Sequence, residues 1–375
     1  AFVAGPLADR LSRKWLITCS LIAWSLMTFM MGFVGDWCVF GLVLPAFFVV
    51  MFFRSIATGV GESFYGPCYP PLIAAYHGET RSIALSIHLY FGLMSSGILT
   101  AWALGFFGGW RQVFMVFGGA GCLLGVSFIW LLKDTPRASA PANSSAPSFF
   151  AGFRYFFKCP SAWCAMAGFV AVVFVNNAYL FWAPKFMTVK FTAEFEQLLG
   201  VSAATSEGLK AIVGRAGNYA MLYHHLVAFA AIIAGGLLTD CLVKRWPRFR
   251  LVFQIAALVA GAPCLLMIGR CGALGATVAM TAAYGLFRGF FEVNTHASLF
   301  DVIPPAYRST GVGIFTLVAF LFGGLSGVLM GALSQKYGVR GFEIGFGIMG
   351  GAYVVGAVLM TISLVFTFNR DRIRE

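Results

Sequence analysis

The chain has 375 residues, of which 59% are hydrophobic and 11% charged, and its formal net charge is +12. Soluble domains are roughly 45 to 50% apolar and 25% charged, so this composition excludes a soluble globular domain and indicates an integral membrane protein. The basic residues lie in short segments between apolar stretches, a distribution that sets membrane topology, so no nucleic-acid partner is expected.

Apolar windows predict the membrane spans. Roughly 20 consecutive apolar residues cross a bilayer as a helix, and windows of that size predict about ten helices. In chain order they cover residues 15–35, 41–75, 83–107, 112–132, 161–187, 219–239, 251–269, 273–303, 309–333 and 344–367. The 40 phenylalanines and 44 glycines suit a helical bundle rather than the alternating polarity of a barrel. We therefore expect an all-α integral membrane protein.

The chain contains two copies of one pattern. An arginine within an apolar span, a double proline and an Arg-Ser step recur at offsets between 227 and 234 residues. The first copy has Arg54, Pro70-Pro71 and Arg81-Ser82, and the second has Arg288, Pro304-Pro305 and Arg308-Ser309. Parallel halves built from apolar spans with isolated charges are typical of secondary transporters, whose substrate lies between the halves.

A segment rich in Pro, Ser and Ala separates the two copies. We assign residues 1–133 to an N-terminal transmembrane half, 134–160 to a cytoplasmic linker and 161–375 to a C-terminal transmembrane half. A complete repeat would place one further helix, and most of a second, before this chain. With the Asp9 loop in the cytoplasm, most Lys and Arg residues lie on the cytoplasmic side, as the positive-inside rule requires.

Two connecting segments have distinct expected structures. Residues 149–158 combine aromatic and basic side chains and predict either a short amphipathic helix along the inner surface or the start of the next span. Residues 190–218 contain several charges and should be extracellular, where we expect an ordinary loop rather than a helical lid.

Charges within the spans are the first candidate functional residues. Arg54 should face protein or a wet cavity, since a charge at the bilayer centre costs on the order of 2.5 to 3.5 kcal/mol on insertion scales. Glu62 projects within about 80° of the same helix face, and Arg288 and Glu292 are four residues apart, which allows a direct pair. The pairs either hold an anionic substrate and a coupling proton, with Glu62 as the favoured proton carrier, or lock helices together.

Further polar residues interrupt the apolar spans. Asn176, Asn177, Asn294 and His296 are expected to hydrogen-bond either a substrate or a neighbouring helix. The His224-His225 pair falls near a predicted outer boundary, which favours an interfacial role over a proton relay.

The pattern Gly5-x-x-x-Asp9-Arg10-x-x-Arg13-Lys14 resembles the signature between the second and third helices of the major facilitator superfamily. Further stretches similar to the family are residues 59–67, 81–86, 109–114 and 300–308. The resemblance implies two pseudo-symmetric six-helix halves that alternate access to a central substrate. Within the superfamily the chain is most similar to bacterial sugar-phosphate-permease-like and anion:cation symporter-like members, with a looser similarity to spinster-type lipid transporters.

The same resemblance implies a cytoplasmic gate. Its residues are Gly5, Asp9, Arg10, Arg13, Asp240, Arg81 and Arg308. Cys241 stands where the first copy has Arg10, so the second copy should close more weakly. Asp301 lies near the cytoplasmic end of its span, where a capping or loop-anchoring role is expected.

Arg54 departs from the family pattern by one residue. Relatives place the arginine of the fourth helix four residues before the first glycine of a Gly-x-Gly-Glu pattern, whereas Arg54 precedes Gly59 by five. In a regular helix the extra residue rotates Arg54 by about 100°.

The sequence therefore predicts a secondary active transporter. We expect a symporter that moves a small organic anion, such as a sugar phosphate, sugar acid or carboxylate, by alternating access with proton coupling, as a monomer in the bacterial inner membrane. The alternatives are a spinster-like lipid or lysolipid transporter and a non-transporting membrane sensor. No cofactor, metal or enzymatic activity is expected, because the chain has no nucleotide-binding loop, no CxxC pair and no nucleophile-base constellation.

Overall fold

The computed structural model describes residues 2–39, 42–78, 80–85, 87–88, 107, 109–133 and 149–373. Most of the predicted span 83–107, and residues 134–148 of the predicted linker, lie outside the described residues. Within them, seven helices are long and apolar enough to cross a membrane. They are Arg13–Phe33, Trp110–Leu131, Pro160–Lys190, Ser206–Leu242, Phe249–Arg270, Pro305–Tyr337 and Val339–Asp371. The prediction of an all-α, multi-pass membrane protein is confirmed.

The described chain divides into two compact units. The first comprises the described residues of Ala1–Gly78, His88–Phe156 and Ile303–Thr316. Its helices are α1 (Ala4–Arg10), α2 (Arg13–Met30), α3 (Ala46–Ile56), α4 (Ser63–Tyr76), α5 (Trp110–Leu131) and most of α6 (Ala151–Lys158). A short hairpin of β1 (Trp37–Val39) and β2 (Leu42–Leu44) precedes α3.

Local chemistry explains how α2 begins and what it packs against. Ser12 caps α2, because its hydroxyl accepts a hydrogen bond from the Trp15 N–H at 3.3 Å. α2 packs along α5, and Gly118 lets the two backbones approach closely at Phe29. This pair of helices forms the main body of the first unit.

The second unit comprises the described residues of Glu79–Ile87, Phe157–Val302 and Leu317–Glu375. Its helices are α7 (Pro160–Lys190), α8 (Thr192–Leu199), α9 (Ser206–Leu242), α10 (Phe249–Arg270), α11 (Leu274–Glu292), α12 (Thr295–Phe300), the greater part of α13 (Arg308–Tyr337), α14 (Val339–Ile362) and α15 (Phe368–Asp371). α10 packs against α11 and α14, α9 against α11, and α7 against α14.

The expectation of an ordinary loop over residues 190–218 is wrong. α8 occupies Thr192–Leu199, and α9 begins at Ser206. The Phe195 side chain is fully buried and anchors α8, while the Thr205 hydroxyl accepts the Gly208 N–H at 3.1 Å and caps α9. An apolar anchor and a capping residue therefore make this segment helical despite its charges.

Residues 149–158 include a helix that is separate from the span after it. α6 ends at Lys158, and α7 begins at Pro160, whose missing N–H suits the first position of a helix. Phe153 and Phe156 are buried, whereas Arg154 is exposed. The amphipathic-helix alternative is therefore the one that the local structure supports.

Candidate functional site

Asp9, near the end of α1, binds the start of α13. The N–H groups of Ser309 and Thr310 donate to its two carboxylate oxygens at 2.9 and 2.8 Å, and the Thr310 hydroxyl donates at 2.6 Å. The first N–H groups of a helix have no partner within it, and the helix dipole favours a negative charge there. We call Gly5, Asp9, Ser309 and Thr310 the Asp9 latch.

Gly5 lies one helical turn before Asp9 and allows this approach. A Cβ at Gly5 would stand 2.8 Å from the Ser309 carbonyl oxygen and 2.9 Å from the Thr310 Cα. Because backbone atoms cannot move aside as a flexible side chain can, any larger residue at this position would push α1 away from α13. The spacing of Gly5 and Asp9 thus combines close contact with a carboxylate on one helix face.

The second copy of the pattern repeats this arrangement within the second unit. The Ile83 N–H, in the helical residues 81–85, donates to Asp240 Oδ2 at 3.1 Å. Gly236 lies one turn before Asp240, and a Cβ there would stand 2.9 Å from the Ile83 Cβ. We call Gly236, Asp240 and Ile83 the Asp240 latch. The same three positions of the repeat are used in both latches.

An arginine supports the Asp9 latch. Arg13 Nε donates to the Ser309 hydroxyl at 3.3 Å, and its Nη2 lies 3.5 Å from Asp9 Oδ1. Arg13 also reaches the Pro305 carbonyl oxygen at 3.5 Å. The predicted gate residues Gly5, Asp9 and Arg13 are therefore all in contact with the start of α13.

A different arginine supports the Asp240 latch. Arg250 Nε donates to the Ser82 hydroxyl at 3.1 Å, and its Nη2 lies 3.7 Å from Asp240 Oδ1. The repeat equivalent of Arg13 is Lys244, so comparison of the two copies could not identify Arg250. The only signal in the sequence was a basic residue at the start of an apolar span.

Asp301 joins two arginines of the second unit. Arg250 Nη1 donates to Asp301 Oδ1 at 2.9 Å, and Arg81 Nη2 donates to the same oxygen. With Asp240, these residues form a buried network of two positive and two negative charges, with each residue at most 8% exposed. The expected capping or loop-anchoring role of Asp301 stays a prediction, and the structure adds that two arginine side chains converge on its carboxylate.

Two other predicted gate residues lie beside these contacts. Arg10 lies over the Phe149 ring, 5.7 Å from its centroid. Arg308 is buried at the start of α13. The weaker closure of the second copy stays a prediction. Ile83 lacks the hydroxyl that Thr310 supplies, whereas Arg250 connects the Asp240 latch to Asp301.

A second polar cluster lies within the spans of the second unit. Arg288 is 2% exposed, and its Nε donates to Glu292 Oε1 at 2.9 Å, as the four-residue spacing predicted. Its Nη1 donates to His224 Nε2 on α9 at 2.8 Å. Glu292 Oε2 is buried without a hydrogen-bond partner among the described residues. We call His224, Arg288 and Glu292 the buried triad.

Tyrosine rings surround the buried triad. The Tyr284 ring stacks on His224 with centroids 4.9 Å apart and an angle of 16°. The Tyr179 ring lies 4.8 Å from His224, and its hydroxyl donates to the Ala220 carbonyl oxygen at 2.6 Å. The Tyr353 ring lies 6.1 Å from Tyr284. Helices α7, α9, α11 and α14 therefore all contribute to one tyrosine-lined polar cluster.

The expectation of an interfacial role for His224 is wrong. His224 is fully buried near the middle of α9, which is longer than the window used to predict the span. His225 is only partly buried, and its ring bonds the Met221 carbonyl oxygen of its own helix at 2.8 Å. Successive helical positions point about 100° apart, which separates the two neighbours.

Arg54 and Glu62 are both exposed. Exposure is compatible with a water-filled cavity, so the expectation that Arg54 faces protein or a wet cavity stays a prediction. Val49 and Phe53 form the packed face of α3, and Arg54 lies one position further around the helix.

Residues Ala57–Glu62 form a π-helical segment between α3 and α4. A π-helical turn accommodates one residue more than an α-helical turn. It therefore absorbs the extra residue between Arg54 and Gly59, and the 100° rotation expected for a regular helix does not apply.

Three of the four remaining predicted residues contact neighbouring helices. Asn294 Nδ2 donates to the Thr239 hydroxyl at 3.1 Å. Asn177 packs against Gly323, where a Cβ would stand 2.6 Å from its Nδ2. Asn176 is partly buried, and the His296 ring lies 6.4 Å from that of Phe169. Within the described residues, no group of three or more His, Cys, Asp or Glu side chains is placed to hold a metal ion.

Comparison with protein families and curated proteins gives a consistent result. The family model of the Major Facilitator Superfamily matches residues 1–223. Protein spinster homolog 1 of Bos taurus is 26% identical over 353 residues, which cover 89% of this chain and 63% of the relative. Protein spinster of Drosophila melanogaster is 25% identical over 347 residues, which cover 89% of this chain and 53% of the relative. The chain thus spans less than two thirds of these relatives.

Solved structures share the fold. A bacterial homologue of the human lysosomal transporter Spinster, in an inward-facing and unoccupied conformation, matches with a TM-score of 0.57 and 20% identity over 99% of this chain and 86% of its own. The Escherichia coli fucose:proton symporter matches with a TM-score of 0.61 and 15% identity, and the match covers 96% of this chain and 86% of the symporter. The human organic anion transporter MFSD10 matches with a TM-score of 0.64 and 13% identity, and the match covers 96% of this chain and 79% of MFSD10.

Proposed function

Because the chain belongs to the Major Facilitator Superfamily, we propose that it is part of a secondary active transporter that moves a small organic anion by alternating access, coupled to protons. The observation that carries the proposal is the buried triad. An intramembrane arginine with a histidine and a carboxylate supplies a positive charge for an anion and two groups that exchange protons. Sugar phosphates, sugar acids and carboxylates are the substrate classes that such a charge would suit.

The two latches supply the conformational part of the proposal. Each joins residues of one copy of the repeat to the start of a helix in the other copy. We infer that both latches close the cytoplasmic side in one state and break in the other. Contacts that differ by a few kcal/mol between two states are enough to shift their populations. A bacterial inner-membrane location and a monomeric state complete the proposal.

The proposal is tested by transport in proteoliposomes that contain the full-length protein. Currents on a sensor surface are recorded for sugar phosphates, sugar acids and carboxylates, with and without a proton gradient. We expect a gradient-dependent current for one anion class. Arg288→Gln should abolish that current, whereas Arg215→Gln, at an exposed site on α9, should leave it unchanged. Absence of current with every anion, in protein that is folded, would refute the proposal.

A lipid or lysolipid substrate is the second candidate. The similarity to spinster proteins over 89% of the chain is the observation that favours it. The discriminating measurement is movement of a fluorescent lysolipid between the leaflets of the same proteoliposomes. Lysolipid movement without any sugar-phosphate, sugar-acid or carboxylate current would select this candidate. Ligand binding without flux of either substrate would instead indicate a membrane sensor.

A further inference from the structure

The hydrogen bond between Arg288 and His224 fixes the protonation state of the histidine. Arginine has only N–H donors, so the 2.8 Å contact from its Nη1 requires His224 Nε2 to accept. An accepting nitrogen carries no proton, and His224 is therefore neutral with its proton on Nδ1. The triad as a whole then has no net charge, since the positive charge of Arg288 is balanced by Glu292 at 2.9 Å.

A proton on His224 Nε2 cannot coexist with this hydrogen bond. The protonated nitrogen has no lone pair to accept, and two cations would face each other at contact distance. The described rings that contact His224 are those of Tyr179, Tyr284 and the neighbouring His225, and none of them carries the negative charge of a carboxylate. Glu292 is the carboxylate that bonds Arg288, and its side chain is 11% exposed.

We propose that His224 is the proton-binding residue of the transporter, and that its protonation releases Arg288 Nη1 to bind the anionic group of the substrate. This inference rests on the proposed function and adds to it the residue that couples proton to anion. Proton binding breaks the Arg288–His224 hydrogen bond and gives the triad one net positive charge. One negative charge of the substrate restores neutrality, so the proton and the anion bind together, one proton for each negative charge held.

The order of burial fits this coupling. The Glu292 side chain is the most exposed of the three, at 11%, whereas Arg288 is 2% exposed and His224 is fully buried. A neutral His224 keeps Arg288 engaged when no proton is present, which disfavours binding of an anion alone. A substrate without a negative charge could accept a hydrogen bond from the released guanidinium but would not restore the neutrality of the triad. The geometry therefore selects for anions that are accompanied by a proton.

His224→Gln separates proton binding from hydrogen bonding. The glutamine carbonyl oxygen still accepts from Arg288, but the side chain does not titrate. His225→Gln is the matched control, because His225 bonds the Met221 carbonyl oxygen instead of Arg288. Proteoliposomes that contain the full-length protein are assayed with glucose 6-phosphate, gluconate and succinate. Exchange of each substrate is measured without a proton gradient, and accumulation is measured with one.

The expected result for His224→Gln is at least a tenfold loss of both exchange and accumulation, because the glutamine keeps its hydrogen bond to Arg288 Nη1 and cannot be protonated to release it. His225→Gln should match the wild type in both assays. Undiminished accumulation by His224→Gln would overturn the assignment of His224 while leaving the proposed function intact. Absence of both exchange and accumulation in the wild type would refute the proposed function, and the coupling role with it.

A spectroscopic measurement decides the assignment even where His224→Gln fails to fold. Solid-state ¹⁵N spectra of the histidine-labelled wild type report which ring nitrogen carries a proton, and correlation to a labelled arginine guanidinium identifies His224. We expect a neutral ring at pH 8 whose Nε2 is unprotonated and bonded to arginine. A protonated Nε2 directed at arginine at pH 8 would overturn the inference.

Discussion

A Cβ placed on Gly5 would stand 2.8 Å from the carbonyl oxygen of Ser309. Real Cβ atoms are essentially never found so close to another heavy atom, so this contact exists only because residue 5 is glycine. The neighbouring hydrogen bonds from Ser309 and Thr310 to Asp9 depend on the same approach.

Gly5→Ala should therefore open the Asp9 latch. Overpacking a tight contact costs typically about 1 to 3 kcal/mol, which is enough to change the population of a two-state contact several-fold or more. Spin labels at the exposed positions Leu11 and Ala306, in a background without the native cysteines, report the separation of the two segments. We expect a longer distance to become the major population. Gly214→Ala, where a Cβ meets open space, should leave the distribution unchanged.

Asp301→Asn should destabilise the second unit strongly. Asp301 accepts from both Arg81 and Arg250, so the substitution removes the carboxylate that binds both buried guanidinium groups. Removing one partner from a buried ion pair typically costs about 3 to 5 kcal/mol. Thermal unfolding of the purified protein, followed by tryptophan fluorescence, should show a clearly lower Tm.

The control for this prediction is Glu194→Gln. Glu194 is exposed in the first turn of α8 and should change stability by no more than about 0.5 kcal/mol. The double substitution Asp301→Asn with Arg250→Met removes one of the two unbalanced positive charges. It should recover part of the lost stability, and a double variant less stable than Asp301→Asn would contradict the charge-network explanation.

Asp9 should make stability depend on pH. Burial raises the pKa of Asp9 above its ordinary value of 3.8, and the hydrogen bonds from Thr310 and the charge of Arg13 offset only part of this effect. Between 3.8 and the raised pKa, the folded protein holds a proton that the unfolded chain releases. The unfolding free energy therefore falls as pH rises through this window, by at most roughly 1.4 kcal/mol per pH unit.

The measurement is thermal unfolding of the wild type and of Asp9→Asn at several pH values from 4 to 7. Asparagine keeps one acceptor oxygen for α13 but does not titrate, so its curve should lack the contribution of Asp9. The wild type should gain stability relative to the variant as the pH is lowered. Parallel curves for the two proteins would show that Asp9 does not titrate differently in the folded state.

Deleting Ala57 should be tolerated. The deletion removes one residue from the π-helical segment Ala57–Glu62, which can then continue as a regular α-helix with Arg54 four residues before the glycine. Ala74 is the matched control, since it is also a buried alanine but lies in the α-helical part of the same span. Deleting Ala74 rotates the residues after it by about 100° relative to those before it, which moves buried side chains off the packed face and should abolish folding. Yield and Tm of the two deletion variants, purified in parallel, test this comparison.

The repeat pattern predicted more of the latches than of the buried triad. Asp9 and Asp240 could be paired from sequence because the same glycine and aspartate spacing recurs. Arg250 could not be identified, because the first copy uses Arg13 in this role. The repeat equivalent of Arg13 is Lys244 and not Arg250. Arg288 and Glu292 were predicted to pair because residues four apart meet on one helix, whereas no periodicity links His224 to a helix 64 residues away.

Sequence alone determined that this protein is all-α, spans a membrane and contains two copies of one pattern, because span length, apolar composition and repeated spacing are local properties of the chain. Only the tertiary structure decided which charges meet. Arg250 reaches Asp301, and Arg288 reaches His224, through the packing of helices that are distant in sequence. It also decided the register of Arg54, because whether an extra residue rotates a helix or is absorbed in a π-helical turn depends on what the helix packs against.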